Sequence, residues 1–189
     1  MCYKILVKEG NHTDSPRRDK RPFVCPHPPP YNFPMTMQSH YQTLFAYHWH
    51  TTHRLLELVE KVAETAVFPT CHRTLSHLLS TNYSYRTALE TSQQPAHLAA
   101  DQFPTLDSLK TGFLDEQSKW NTLLASLSDD TIAGSADLTT LRGHTIRFAR
   151  WRILQQVLLH GMQHHAELAQ LLTEQGHSPG DLDFIFFQG

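Results

Sequence analysis

Residues 150–175 read RWRILQQVLLHGMQHHAELAQLLTEQ, and this stretch decides the fold class. Its apolar residues recur three or four positions apart, the spacing of one face of an α-helix. Gly176 follows directly, as a glycine commonly does where a helix ends. The stretch therefore predicts an amphipathic helix with one side against a core.

Three stretches upstream show the same helical spacing. They run from about Gln38 to Glu64, from about Cys71 to Glu90 and from about Thr105 to Leu127. We expect Pro69 to break the chain between the first two, because proline lacks the amide donor that a helix uses. Thr70 is then the expected N-cap of the second helix.

The connections between these helices complete the expected architecture. Residues 137–148 are rich in Thr, Leu and Ile around Arg142-Gly143, which favours a small hairpin or extended excursion between the third and fourth helices. Four amphipathic helices of this length predict an all-α fold, a four-helix bundle with long crossover connections.

Residues 1–34 differ in composition from the rest of the chain. They hold seven of the eleven prolines and a net charge of +3, whereas the remainder carries −5. We expect a Pro-rich irregular arm over 1–34 and the bundle over 35–189. Met35 and Met37 stand at this boundary, so the arm is either part of the native protein or a gene-model extension.

Overall composition excludes several classes of protein. The 189 residues carry a net charge of −2, which gives no electrostatic footprint for nucleic acid. No apolar run approaches the roughly 20 residues that a membrane span needs. Three cysteines without a CxxC pair, and an N-terminus unlike a secretory signal, favour a cytoplasmic protein. The fourteen histidines, by contrast, direct attention to metal chemistry.

Two of these histidines have the spacing of a metal site. His160 and His164 are four residues apart, so their imidazoles share one helix face and can reach one ion. They lie on the flank of the apolar stripe together with Glu167, whereas His165 lies near its centre. On spacing alone, a surface or packing pair is the more common explanation of two such histidines.

The sequence offers several histidines as a third metal ligand and does not choose between them. His72 and His77 of the second helix point in different directions, and the helical wheel slightly favours His72. His48 lies on the apolar face of the first helix, where a histidine is more often part of the core.

A resemblance to a known family covers about Met37 to Phe187. Residues 160–183, HGMQHHAELAQLLTEQGHSPGDLD, resemble the C-terminal signature of the DinB-like family of damage-inducible, metal-dependent proteins. Residues 74–79, TLSHLL, and 47–56, YHWHTTHRLL, are similar to its motifs in the first two helices. His165 departs from the pattern, because arginine is usual there. Trp49 also departs from it, because it stands one residue before the place of the tryptophan in the family's first-helix motif, where this chain has His50.

The resemblance implies one divalent metal ion, zinc, nickel or iron, held by His77, His160 and His164. Three protein ligands leave coordination positions open, which is typical of catalytic rather than structural sites. The ion would lower the pKa of a water bound at an open position towards neutrality. Glu167 is the candidate catalytic residue, either orienting a ligand imidazole or accepting a proton, and a solvated glutamate on the helix surface is the alternative of equal weight.

Two functions fit this site. The first is a metal-dependent hydrolase or an S-transferase for a low-molecular-weight thiol, acting on a small molecule. The second is a non-catalytic metal-binding stress-response protein. A di-iron bundle ranks last, since from residue 35 on Glu174 and His177 form the one Glu-x-x-His pair, whereas such a site needs two. An exposed apolar helix face would support a homodimer, with neither nucleic acid nor membrane as a partner.

Overall fold

The computed structural model of the chain describes residues 35–189. It is an all-α bundle with a two-stranded hairpin, as predicted. Its elements are α1 (Met37–Glu60), α2 (Phe68–Thr91), α3 (Leu106–Ser126), α4 (Asp129–Ala133), β1 (Ser135–Thr139), β2 (Thr145–Ala149) and α5 (Arg150–Glu174). The predicted arm lies outside the described residues. No helix between residues 35 and 189 has the length and apolar character of a membrane span.

The start of α2 differs from the prediction. The helix begins at Phe68, and Pro69 lies inside its first turn, so the expected break at Pro69 and the N-cap at Thr70 were wrong. Proline is tolerated there because the amide it lacks would have no partner within the helix. Thr105, predicted as the start of the third helix, is instead the N-cap of α3, and its hydroxyl accepts from the amide of Ser108.

The four long helices pack as a ring in which consecutive helices are not always neighbours. α1 packs against α3 and α5, and α2 packs against the same two, so α1 and α2 lie largely across the diagonal. Phe45 of α1 stacks on Trp120 of α3 with ring centroids 4.6 Å apart. Aromatic and leucine side chains fill the centre, and α2 and α5 lie side by side.

The hairpin is joined to both α2 and α5. β1 and β2 pair antiparallel, from Ser135 opposite Ala149 to Thr139 opposite Thr145, and Gly143 adopts a φ of +81° in the predicted turn. Thr139 exchanges backbone hydrogen bonds with the segment after α2, and Leu138 packs near Ala88. Because α5 begins directly after β2, the hairpin is held beside the groove between α2 and α5.

Gly161 allows α1 and α5 to approach closely. A Cβ at this position would lie 2.5 Å from Nδ1 of His48, well inside van der Waals contact. The His48 ring is 2% exposed, and its edge meets the rings of Phe45 and Trp49. The imidazole therefore occupies the space that a larger residue at 161 would need.

This contact predicts that the effect of Gly161→Ala on stability changes sign when His48 is removed. Gly161→Ala should destabilise the chain by about 1–3 kcal/mol, because overpacking outweighs the roughly 1 kcal/mol that alanine gains over glycine in a helix. In a His48→Ala background the clash is gone, so the same change should stabilise. Urea unfolding of the four variants measures both signs, and a loss of stability in both backgrounds would contradict the contact.

Candidate metal centre

Three imidazoles from two helices converge at the solvent edge of the groove between α2 and α5. His77 comes from α2, and His160 and His164 come from successive turns of α5. One ring nitrogen of each lies within 4.8 Å of the others. The ring centroids are 4.5–5.1 Å apart, and the rings are nearly perpendicular. Three donor atoms therefore surround one small volume.

The distances suit a single small cation. Nε2 of His77 and Nε2 of His160 are 3.1 Å apart. Two imidazole nitrogens bound to one zinc ion at about 2.0–2.1 Å in a tetrahedral arrangement lie about 3.3 Å apart. Nε2 of His164 is buried and has no hydrogen-bond partner among residues 35–189. The donor set thus fits a divalent ion without a large rearrangement.

Glu167 lies behind the site rather than in it. Its carboxylate Oε2 is 2.7 Å from Nδ1 of His164, and its Oε1 accepts from Gln163 at 3.2 Å. When Nδ1 donates to a carboxylate, Nε2 keeps its lone pair for a metal ion. Glu167 was predicted either to orient a ligand imidazole or to accept a proton, and this contact supports the first of these roles.

The electrostatic surroundings favour neutral imidazoles. Partial desolvation at the solvent edge lowers the pKa of His77 and of His160, and the charge of a protonated His164 would lower each further, while Glu167 acts in the opposite direction. The hydrogen bond from His164 lowers the pKa of Glu167 and keeps it ionised. Protons therefore compete less for His77 and His160 than for free imidazole.

The other candidate histidines lie elsewhere. His72 is half-buried on α2, where it packs near Phe68, and it is not part of the cluster. His48 and His165 are 2% and 4% exposed, with ring centroids 5.0 Å apart in the core between α1 and α5. Nε2 of His165 is 2.9 Å from the Thr52 hydroxyl, and burial lowers the pKa of His165 to about 4. The core position expected for both is therefore what the fold shows.

A cavity of about 410 Å³ opens next to the three histidines. His77 and His160 form one end, the hairpin forms a wall, and the segment after α2 completes the rim. Its lining residues are His77, Thr81, Ser84, Tyr85, Ala88, Gln94, His97, Leu138, Thr140, Ile146, Phe148, Gln156 and His160.

Thr81, Asn82 and Tyr85 follow His77 by one or two turns of α2, which makes them candidates for the mouth of the site; Thr81 and Tyr85 line the cavity, whereas Asn82 is buried and does not. Sequence reasoning missed His97 and Ser84. His97 lies in the irregular segment between α2 and α3, where helical periodicity offers no signal. Ser84, by contrast, follows His77 by seven residues on the same face of α2, so helical spacing would have found it.

Comparison with known proteins adds one finding. Residues 37–189 match the model of the DinB family, so the match includes all three histidines of the cluster. No curated protein matches the chain.

Proposed function

The chain belongs to the DinB family, and on that premise we propose that it is a metal-dependent enzyme acting on a small molecule. The observation that carries this proposal is the convergence of His77, His160 and His164 beside a cavity. When bound, a divalent ion with three protein ligands supplies Lewis-acid chemistry at its remaining positions, where it lowers the pKa of a water or a thiol.

Residues of the chain would hold the ion, orient one of its ligands and bind the substrate. His77, His160 and His164 would hold the ion, with zinc, nickel and iron all suited to imidazole. Glu167 holds the proton on Nδ1 of His164 and thereby aims Nε2 at the site. The cavity walls bind and orient the substrate next to the two histidines at its end.

Two reaction classes follow from this arrangement. A hydrolase would use water as the nucleophile, and an S-transferase would use a low-molecular-weight thiol.

We propose a cytoplasmic, stress-induced protein, on the basis of its cysteine usage and the family resemblance. A homodimer formed through an exposed apolar face is part of the same proposal. The second candidate is metal binding without catalysis, which the three histidines alone would equally support.

The test combines metal analysis with turnover. We expect about one divalent ion per chain after purification. Hydrolysis of ester and amide substrates, or transfer of a thiol to an electrophile, should stop after treatment with a chelator and return with added zinc, nickel or iron. Stoichiometric metal without turnover across both panels would favour the non-catalytic alternative. Absence of metal under all loading conditions would reject both.

Glu167 provides a separate prediction. Glu167→Gln should weaken metal binding about 10–100-fold, the usual effect of losing a carboxylate behind a ligand histidine. Metal titration of the variant measures this. Glu174→Gln is the matched control, because Glu174 also accepts from a glutamine one turn away on α5 but contacts no histidine. Equal affinities for the two variants would remove Glu167 from the site.

A further inference from the structure

We propose that the cavity beside the three histidines binds an uncharged apolar group, alkyl or aryl, of a small-molecule substrate. Ser84 would hydrogen-bond to a polar atom of the same molecule. This inference rests on the proposed function in one respect, namely that the histidine end of the cavity is the reacting end.

The chemistry of the lining carries the inference. α2 contributes one face with residues at positions 77, 81, 84, 85 and 88, and the hairpin contributes Leu138, Ile146 and Phe148. The part of the lining formed by residues 35–189 contains no Asp, Glu, Lys or Arg. A charged group placed here would lose its hydration without gaining an ion pair. Burial also raises the pKa of Tyr85, so that its phenol stays neutral.

Ser84 supplies an independent observation. It is 8% exposed, and its hydroxyl has no hydrogen-bond partner in the described part of the chain. Serine in a helix commonly donates to the carbonyl four residues earlier, as Ser76 does to His72 at 2.9 Å. Because Ser84 lines the cavity, a rotation about its Cα–Cβ bond would let the unpaired Oγ meet a polar atom of a ligand and would remove the cost of a buried hydroxyl without a partner.

Size and access agree with a small organic molecule. The volume of about 410 Å³ falls within the roughly 300–1,000 Å³ usual for small-molecule sites. Ile146 is 45% exposed and Leu141 62% exposed on the hairpin, so apolar surface continues outside the mouth.

The experiment compares three probes of one shape on the full-length chain after removal of metal. They are 4-phenylbutan-1-ol, 4-phenylbutanoate and 4-phenylbutylammonium, titrated at pH 8, above the ordinary histidine pKa of about 6.5. We expect the neutral alcohol to bind at least about 10-fold more tightly than either ion, because neither ion finds an opposite charge in the lining. Ser84→Ala should weaken binding of the alcohol about 5-fold, the usual effect of one hydrogen bond.

Ile146→Arg places a cation at the rim of the cavity. It should shift the preference toward 4-phenylbutanoate, while Leu114→Arg should not. Leu114 is 59% exposed on α3 and does not line the cavity, so it controls for the added charge. Both positions are exposed, and circular dichroism checks that each variant is folded.

Several outcomes would overturn the inference. Ions that bind as tightly as the alcohol, binding of none of the probes, or no effect of Ile146→Arg would each do so. Because metal is absent, these results are independent of turnover. A chain that prefers the alcohol but shows no metal-dependent turnover would keep the inference and reject the proposed function.

Discussion

His77→Ala is expected to abolish stoichiometric metal binding, whereas His72→Ala should leave it intact. Without His77, an ion would keep only His160 and His164, both from α5, and no donor from α2. Losing one of three ligands should cost more than the roughly 100-fold that follows loss of a supporting carboxylate. Turnover should disappear with the metal.

The two variants make a matched pair, because the one that should lose metal binding should keep its stability and the one that should keep metal binding should lose stability. His77 is exposed, so its removal leaves no cavity in the core. His72 is half-buried near Phe68, so its removal should lower the free energy of unfolding. Metal analysis and urea unfolding of both variants measure the two effects. Retention of metal by His77→Ala together with its loss from His72→Ala would show that the ligand set is wrong.

Glu116→Ala should destabilise the chain by about 3–5 kcal/mol, because it removes the buried partner of Arg86 and leaves the buried guanidinium with only the partly exposed Glu90. Arg86 of α2 and Glu116 of α3 are 6% and 3% exposed. The guanidinium donates to both carboxylate oxygens of Glu116, at 2.6 and 3.0 Å, and to Glu90 at 2.6 Å. Burial would lower the pKa of Arg86, but Glu116 and Glu90 raise it overall. Without Glu116 the guanidinium still keeps its charge, because arginine does not lose its proton in proteins.

Asp115→Ala is the control for this prediction. Asp115 pairs with Lys119 at 2.6 Å on the same helix, but both side chains are about half exposed. Exposed pairs contribute roughly 0.2–1 kcal/mol, so this change should be small. Replacing both buried partners, as Arg86→Met with Glu116→Leu, should recover much of the loss. Equal effects of Glu116→Ala and Asp115→Ala in urea unfolding would contradict the buried pair.

The sequence predicts what depends on neighbours along one helix. The positions of His160, His164 and Glu167 on one flank of α5 follow from spacing alone, and the structure places the rings of His160 and His164 beside His77. The choice between His72 and His77 does not follow from spacing. The helical wheel of α2 identifies the side that faces the core, but not the edge that meets α5.

Other features arise from contacts distant in sequence. The hairpin was predicted from composition, yet its position over the groove depends on backbone bonds between Thr139 and the segment after α2. The cavity, and with it the role of Ser84, exists only once those segments are together. Pro69 shows a different limit, because its position inside the first turn of α2 depends on where the helix begins.

The separation of the site's donors along the chain has a consequence for folding. His77 and His160 are 83 residues apart, so the unfolded chain offers an ion little beyond the pair on α5. Metal binding would then require α2 and α5 to be docked, and the ion would favour the native chain over the denatured ensemble by mass action. The midpoint of thermal unfolding should rise with free metal concentration, and the ion would act as a reversible cross-link between the two halves of the bundle.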